Sequence, residues 1–116
     1  MADGAFSGEV TGDADLDAQI KRSRAAFPNS RLHHEIEFSE LDWAGIAALA
    51  ATCAAAELPL VSLRCGQNGG AICVVADNRR ADLRAASTEI AGLGKFARWT
   101  VHLAFGDGRV APAGAY

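Results

Sequence analysis

The sequence predicts an α+β fold, a four-stranded antiparallel sheet with helices on one face, on three observations. Apolar residues alternate with polar ones in short stretches, the period of a half-buried strand. Between those stretches, apolar residues recur at three- and four-residue spacing, the period of a helix. A GQNGG segment separates two of the alternating stretches, where a hairpin turn belongs.

The elements follow in order. Residues 1–30 read as an N-terminal extension whose first twelve residues are small and polar. A short helix is expected over 13–27, with Leu16, Ile20 and Phe27 on one side and Pro28-Asn29-Ser30 to stop it, unless the segment stays irregular. In RLHHEIEF, Leu32, His34, Ile36 and Phe38 alternate with His33, Glu35 and Glu37, which makes a first strand. FSELDWAGIAALAA then offers two helix starts, Ser39 and Asp42. Trp43, Ile46, Leu49, Ala50 and Cys53 form the apolar face of that helix, and Pro59 closes it.

LPLVSLRC alternates again, with Val61, Leu63 and Cys65 on one side and Ser62 and Arg64 on the other. Asn68-Gly69 suits a two-residue type I′ turn, which places Cys65 opposite Ile72 of the partner strand AICVVA. Asp77-Asn78 is expected to cap a second helix with apolar positions Leu83, Ala86, Ser87, Ile90 and Leu93, ended by Gly92 and Gly94. RWTVHLAF forms the last strand, with Trp99, Val101, Leu103 and Phe105 on one face, and residues 107–116 are a tail. The order β-α-β-β-α-β over 31–106 is the split βαβ arrangement of ferredoxin-like folds. Crossover handedness then puts both helices on one face of the sheet, with the first strand between the last and the third.

With 116 residues, half of them hydrophobic, the chain suits one core in one domain. A net charge of −3 without a basic stripe argues against nucleic acid as a partner. The longest apolar run, mostly alanine, is too short and too weakly hydrophobic to cross a bilayer. MADGAFSGEV lacks a basic segment followed by an apolar core, so no signal peptide is expected. Three cysteines, an odd number, fit a reducing cytoplasm.

Polar residues left on the open sheet face are His33, Glu35, Glu37, Ser62, Arg64, Arg98, Thr100 and His102, joined by Cys73 and Val75. His33, His102 and Cys73 could then meet beside a carboxylate as a metal site. A solvated or dimer-contact face with cross-strand charge pairs is the stronger expectation, because no HxxxH or CxxC spacing is present. No metal or other cofactor is therefore implied. His34 points the opposite way from His33 and is expected to be buried and hydrogen-bonded. Cys53, Cys65 and Cys73 are expected to be small buried hydrophobes, with Cys65 and Cys73 on opposite faces. Gly66, Gly69 and Gly70 belong to a turn and do not make a phosphate loop, and Arg79-Arg80 is a solvated pair.

Gly45 is the residue that demands a cause, since glycine inside a helix costs roughly 1 kcal/mol against alanine. It either makes room for a neighbour or lets another chain or a small ligand approach the backbone. The stretch IEFSELDWAGIAALAATCAAAELPLVSL resembles the first half of an ACT domain: a strand, then D-x-x-G and an apolar residue, a helix and a second strand. Asp42-Trp43-Ala44-Gly45-Ile46 fits that motif, apart from Trp43-Ala44, where a basic residue and proline are usual. AICVVADNRRADLRAASTEIAGL fits the third strand and second helix, so the resemblance covers about residues 31–105. It implies a ferredoxin-like regulatory module, a homodimer, and an amino acid bound at or near the dimer interface. Asp42 and Gly45 would be the binding residues, with Leu41, Trp43 and Ala44 in the same turn. Asp42 would hold the ammonium, and amides near Trp43 to Ile46 the carboxylate. A ligand-free dimerisation module is the alternative. An enzyme or a haem or metal binder on the open face stands third.

Overall fold

A computed structural model describes residues 13–104. Its elements are α1 (Asp13–Ala26), β1 (Leu32–Glu40), α2 (Trp43–Ala55), β2 (Leu60–Cys65), β3 (Ala71–Ala76), α3 (Arg84–Ala91) and β4 (Lys95–Leu103). The expected leader over 1–12, the tail over 107–116 and Phe105 lie outside the described residues. The four strands form one antiparallel sheet in the order β2-β3-β1-β4, with β1 between β4 and β3 as expected. No described helix is long and apolar enough to cross a membrane.

Strand β1 keeps its two-residue period: Leu32, His34, Ile36 and Phe38 are buried, and His33, Glu35 and Glu37 are half-buried. Ile36 pairs with Cys73 on one side and Trp99 on the other, so all three face one core. Leu16 and Ile20 of α1, Leu49 and Cys53 of α2, and Ile90 of α3 close over that face in the same cluster. The expected extension thus contributes a helix to the core, packed on α3 and β4. Phe27, which follows the last turn of α1, is 43% exposed instead of joining Leu16 and Ile20.

The hairpin differs from expectation, and its geometry explains several other differences. Gly66 N–H donates to the Gly70 carbonyl at 2.9 Å, and Gly69 N–H donates to the Gly66 carbonyl at 3.1 Å. Gln67-Asn68-Gly69 is therefore a three-residue loop with only Gly69 at positive φ, +93°. A type I′ turn needs positive φ at both central residues. Cys65 consequently pairs with Ala71, not Ile72. Side chains alternate with period two, so this one-residue difference turns β3 over. Ala71, Cys73 and Val75 enter the core, whereas Cys73 and Val75 were expected on the open face. Cys65 and Cys73 accordingly lie on the same side of the sheet. Cys65 is nonetheless exposed, because β2 is an edge strand with no buried residue.

Helix α2 buries Gly45, Leu49, Thr52 and Cys53, with Ile46 half-buried. Trp43 and Ala50, expected on that face, are exposed, Trp43 at 83%. Gly45 takes the inward position because the chain packs tightly there. At the other end, Glu57 N–H donates to Ala54 and Leu58 N–H to Cys53, both at 3.0 Å. This is a Schellman closure, and Glu57 occupies its left-handed position at φ +58°, where glycine is usual. Pro59 lies beyond the helix end, as expected.

Helix α3 starts at Arg84, behind Leu83, and not at Asp77-Asn78. Asp77 is drawn inward by other partners. Asn78 instead makes a local turn, accepting from Arg80 N–H on its side chain and from Ala81 N–H on its carbonyl. Leu83, Ser87 and Ile90 are buried and Ala86 and Leu93 half-buried, the helical face that the spacing predicts.

Replacing Glu57 by glycine removes a left-handed side chain that costs about 1–2 kcal/mol, partly offset by the looser unfolded chain. Glu57→Gly should raise the urea unfolding midpoint, a gain of about 0.5–1 kcal/mol, with the slope unchanged.

Candidate functional site: the β1–α2 turn

Between the end of β1 and the start of α2, Leu41 turns into the core and Asp42 stays exposed. Asp42 is the N-cap: Gly45 N–H donates to its Oδ1 at 2.8 Å, and Ile46 N–H donates to its carbonyl at 2.8 Å. Ser39, the competing start, instead donates from Oγ to the Lys95 carbonyl at 3.3 Å.

A methyl group at Gly45 would lie 2.4 Å from Leu41 Cδ1 and 3.0 Å from the Leu93 carbonyl oxygen. The group that approaches this bare α-carbon is therefore the protein's own Leu41, backed by the α3–β4 turn. Gly94 meets the same crowding from the other side, with the Glu40 carbonyl 2.5 Å from where its Cβ would sit. The hairpin loop closes a third side, since Leu41 N–H donates to the Gly69 carbonyl at 2.8 Å.

These three connections surround an open hollow of about 390 Å³. Leu41 and Leu93 give it apolar walls, Asn68 lies on the hairpin side, and Glu40, Asp42 and Lys95 supply charge. Lys95 Nζ is 3.5 Å from Glu40 Oε1, and both side chains are mostly exposed. An ion pair of this kind contributes at most about 1 kcal/mol and exchanges partners easily. Of the five residues singled out in sequence, Leu41 and Asp42 line the hollow. Gly45 lies against Leu41, while Trp43 and Ala44 are exposed and do not line it. Glu40, Asn68, Gly69, Leu93, Gly94 and Lys95 are the additions; the sequence marks Asn68-Gly69 as a turn and Leu93-Gly94 as a helix end, with no hint that these segments meet.

Among the described residues, the carboxylate held furthest from its ordinary range lies elsewhere. Asp77 receives Arg24 Nε at 2.9 Å on Oδ2 and Arg24 Nη2 at 2.8 Å on Oδ1. His34 Nε2 lies 2.7 Å from the same Oδ1. Trp99 Nε1–H donates to His34 Nδ1 at 3.0 Å, which puts the imidazole proton on Nε2, where it donates to Asp77. Burial pushes the Asp77 carboxyl up, but the hydrogen bonds from His34 and Arg24 and the adjacent guanidinium charge outweigh it. The group is held well below the usual carboxylate range. His34 is completely buried with both ring nitrogens engaged, a structural histidine as its alternation predicts.

On the open face, His33 and His102 are paired across β1 and β4 with ring centroids 6.2 Å apart. His102 Nε2 sits 3.5 Å from Glu35 Oε1, and Glu37 lies opposite Arg98. Cys73, the third expected member of this group, points into the core instead. Its hydrogen bond with Cys53, together with burial, pushes its thiol up. Among the described residues no group of three His, Cys, Asp or Glu could hold a metal ion. Comparison with known proteins gives no match among family models, curated proteins or solved structures.

Asp77 stays ionised in the folded chain at pH values where an unfolded carboxylate, with a pKa of about 4, takes up a proton. Its contribution is therefore complete above about pH 4 and drains away as the pH falls below it. Asp77→Asn, which sets an amide N–H against Arg24, should cost about 3 kcal/mol at neutral pH. Urea unfolding across an acid series should show a shallower acid loss in the variant than in the wild type.

Proposed function

We propose that this chain is a ferredoxin-like, ACT-like regulatory module that binds a small zwitterion in the hollow at the β1–α2 turn, with an amino acid as the first candidate. The observation that carries the reading is a hollow bounded by charges of both signs, Lys95 against Asp42 and Glu40. Its volume falls in the range of small-molecule sites. Lys95 takes the ligand carboxylate, exchanging its weak bond to Glu40 for a better one. Asp42 and Glu40 take the ammonium. Leu41 and Leu93 receive an apolar side chain.

This assignment of the carboxylate replaces the helix amides, because the Asp42 side chain occupies Gly45 N–H and its carbonyl occupies Ile46 N–H. The sheet order β2-β3-β1-β4, with α2 between β1 and β2 and α3 between β3 and β4, supports the ferredoxin-like part of the reading. The module has no catalytic role in this reading and acts through whatever it assembles with. A second reading, an association module without a ligand, is favoured by one observation: the exposed side of α2 is uncharged.

Calorimetric titration with each common amino acid tests the first reading. At least one should bind in the micromolar to millimolar range. Lys95→Ala and Asp42→Asn should each weaken it about tenfold or more, and asparagine preserves the helix cap. No heat from any amino acid with folded protein removes the binding claim.

A further inference from the structure

Asn68-Gly69 lies at the tip of the β2–β3 hairpin, with both residues exposed. Gly69 carries no side chain, and a methyl group there would meet nothing within 4 Å beyond its chain neighbours. No other segment therefore screens the peptide nitrogen that follows Asn68 on that side. Asn68 Oδ1 accepts from Gly70 N–H at 3.0 Å, while its Nδ2 has no partner among the described residues. The other two asparagines, Asn29 and Asn78, are followed by Ser30 and Arg79, which carry side chains. Asn78 is also tied at both ends of its amide, Nδ2 donating to the Ala56 carbonyl and Oδ1 accepting from Arg80 N–H.

From this we infer that Asn68 is a modification site, whose side-chain amide is lost to the Gly69 nitrogen, and that the product reshapes the hollow at the β1–α2 turn. The Gly69 nitrogen gives its proton to hydroxide and bonds to Asn68 Cγ. The Cγ–Nδ2 bond then breaks, and Nδ2 takes a proton from water and leaves as ammonia. Water opens the resulting cyclic imide at one of its two carbonyls, leaving either an aspartate or an isoaspartate. The sum is amide plus water to acid plus ammonia, with nothing oxidised or reduced. Attack within one chain needs no encounter, and Gly70 N–H stabilises the charge that develops on Oδ1. The restraint is the bond from Gly69 N–H to the Gly66 carbonyl at 3.1 Å, one exposed turn bond of the kind that opens locally.

The consequence follows from where the loop docks. Asn68 and Gly69 both line the hollow, and the Gly69 carbonyl holds Leu41 N–H at 2.8 Å. The new carboxylate, ionised at neutral pH, joins Glu40 and Asp42 around the Lys95 ammonium. The isoaspartate product also adds one carbon to the main chain ahead of Gly69, which displaces the carbonyl that holds Leu41. The conversion needs no ligand, so it stands whether or not the hollow binds one.

The test incubates the full chain in mildly alkaline buffer, folded and in guanidinium chloride, with circular dichroism to verify folding. Fragment mass spectrometry locates each amide lost. In the folded chain Asn68 should convert at least tenfold faster than Asn29 and Asn78, and at no less than a tenth of its own rate in denaturant. Slower conversion by either measure overturns the proposal, because the hairpin then protects the amide. In the purified isoaspartate product, Leu41 N–H should exchange with deuterium at least tenfold faster than in the unmodified chain. Asn68→Asp, whose main chain is unaltered, should leave that exchange as it was. Exchange that fails to rise in the isoaspartate product, or rises as much in Asn68→Asp, overturns the link to the hollow.

Discussion

One buried carboxylate ties together the parts of this fold that are far apart in sequence. Asp77, at the exit of β3, accepts from Arg24 of α1 and from His34 of β1, and His34 accepts from Trp99 of β4. Each member is satisfied by the next, the condition under which a buried polar network rigidifies a core instead of weakening it. Arg24 adds hydrogen bonds to the carbonyls of Asn78 and Ala81. Arg79 reaches back to the carbonyls of Arg24, Phe27 and Ser30. The link from β3 to α3 is thereby clamped on the end of α1, and α3 begins after it, at Arg84.

At that turn, crowding and openness lie within a few residues of each other. Gly45 and Gly94 let Leu41, the Glu40 carbonyl and the Leu93 carbonyl fit together, and a side chain at either would collide with them. The tight packing beneath holds the rim open above, where Glu40, Asp42 and Lys95 face solvent around the hollow. Asp42 lines that hollow, and the next residue, Trp43, begins the outer face of α2. The hollow and the exposed, uncharged side of α2 therefore start at adjacent positions on one helix end.

Much of the architecture was legible in the sequence because periodicity is a local property. In β1 the alternation Leu32, His34, Ile36, Phe38 is preserved residue for residue, including a histidine among hydrophobes that proves to be hydrogen-bonded. In α3 the buried positions are those that the spacing predicts, although the start is not, because Asp77 had a distant partner stronger than a helix end. Leu41 and Asp42, singled out in the sequence, line the hollow, and of the two causes the sequence left open for Gly45 the structure shows room for a neighbour. Glycine announces a close approach without saying what approaches, and here it is a leucine four residues earlier. Lys95 was invisible, because nothing local says that the start of β4 returns to the end of β1.

By itself, the sequence determined the kind and order of the elements from β1 to β4, since each follows from propensities and spacings within a few residues, and it left α1 open between a helix and an irregular segment. Only the tertiary structure decided the hairpin register, the side of β3 that carries Cys73, the outward turn of Trp43 and the partners of Asp77. Those outcomes depend on contacts between residues dozens of positions apart. A three-residue loop and a two-residue loop are nearly equivalent in local chemistry, yet they put opposite faces of a strand into the core.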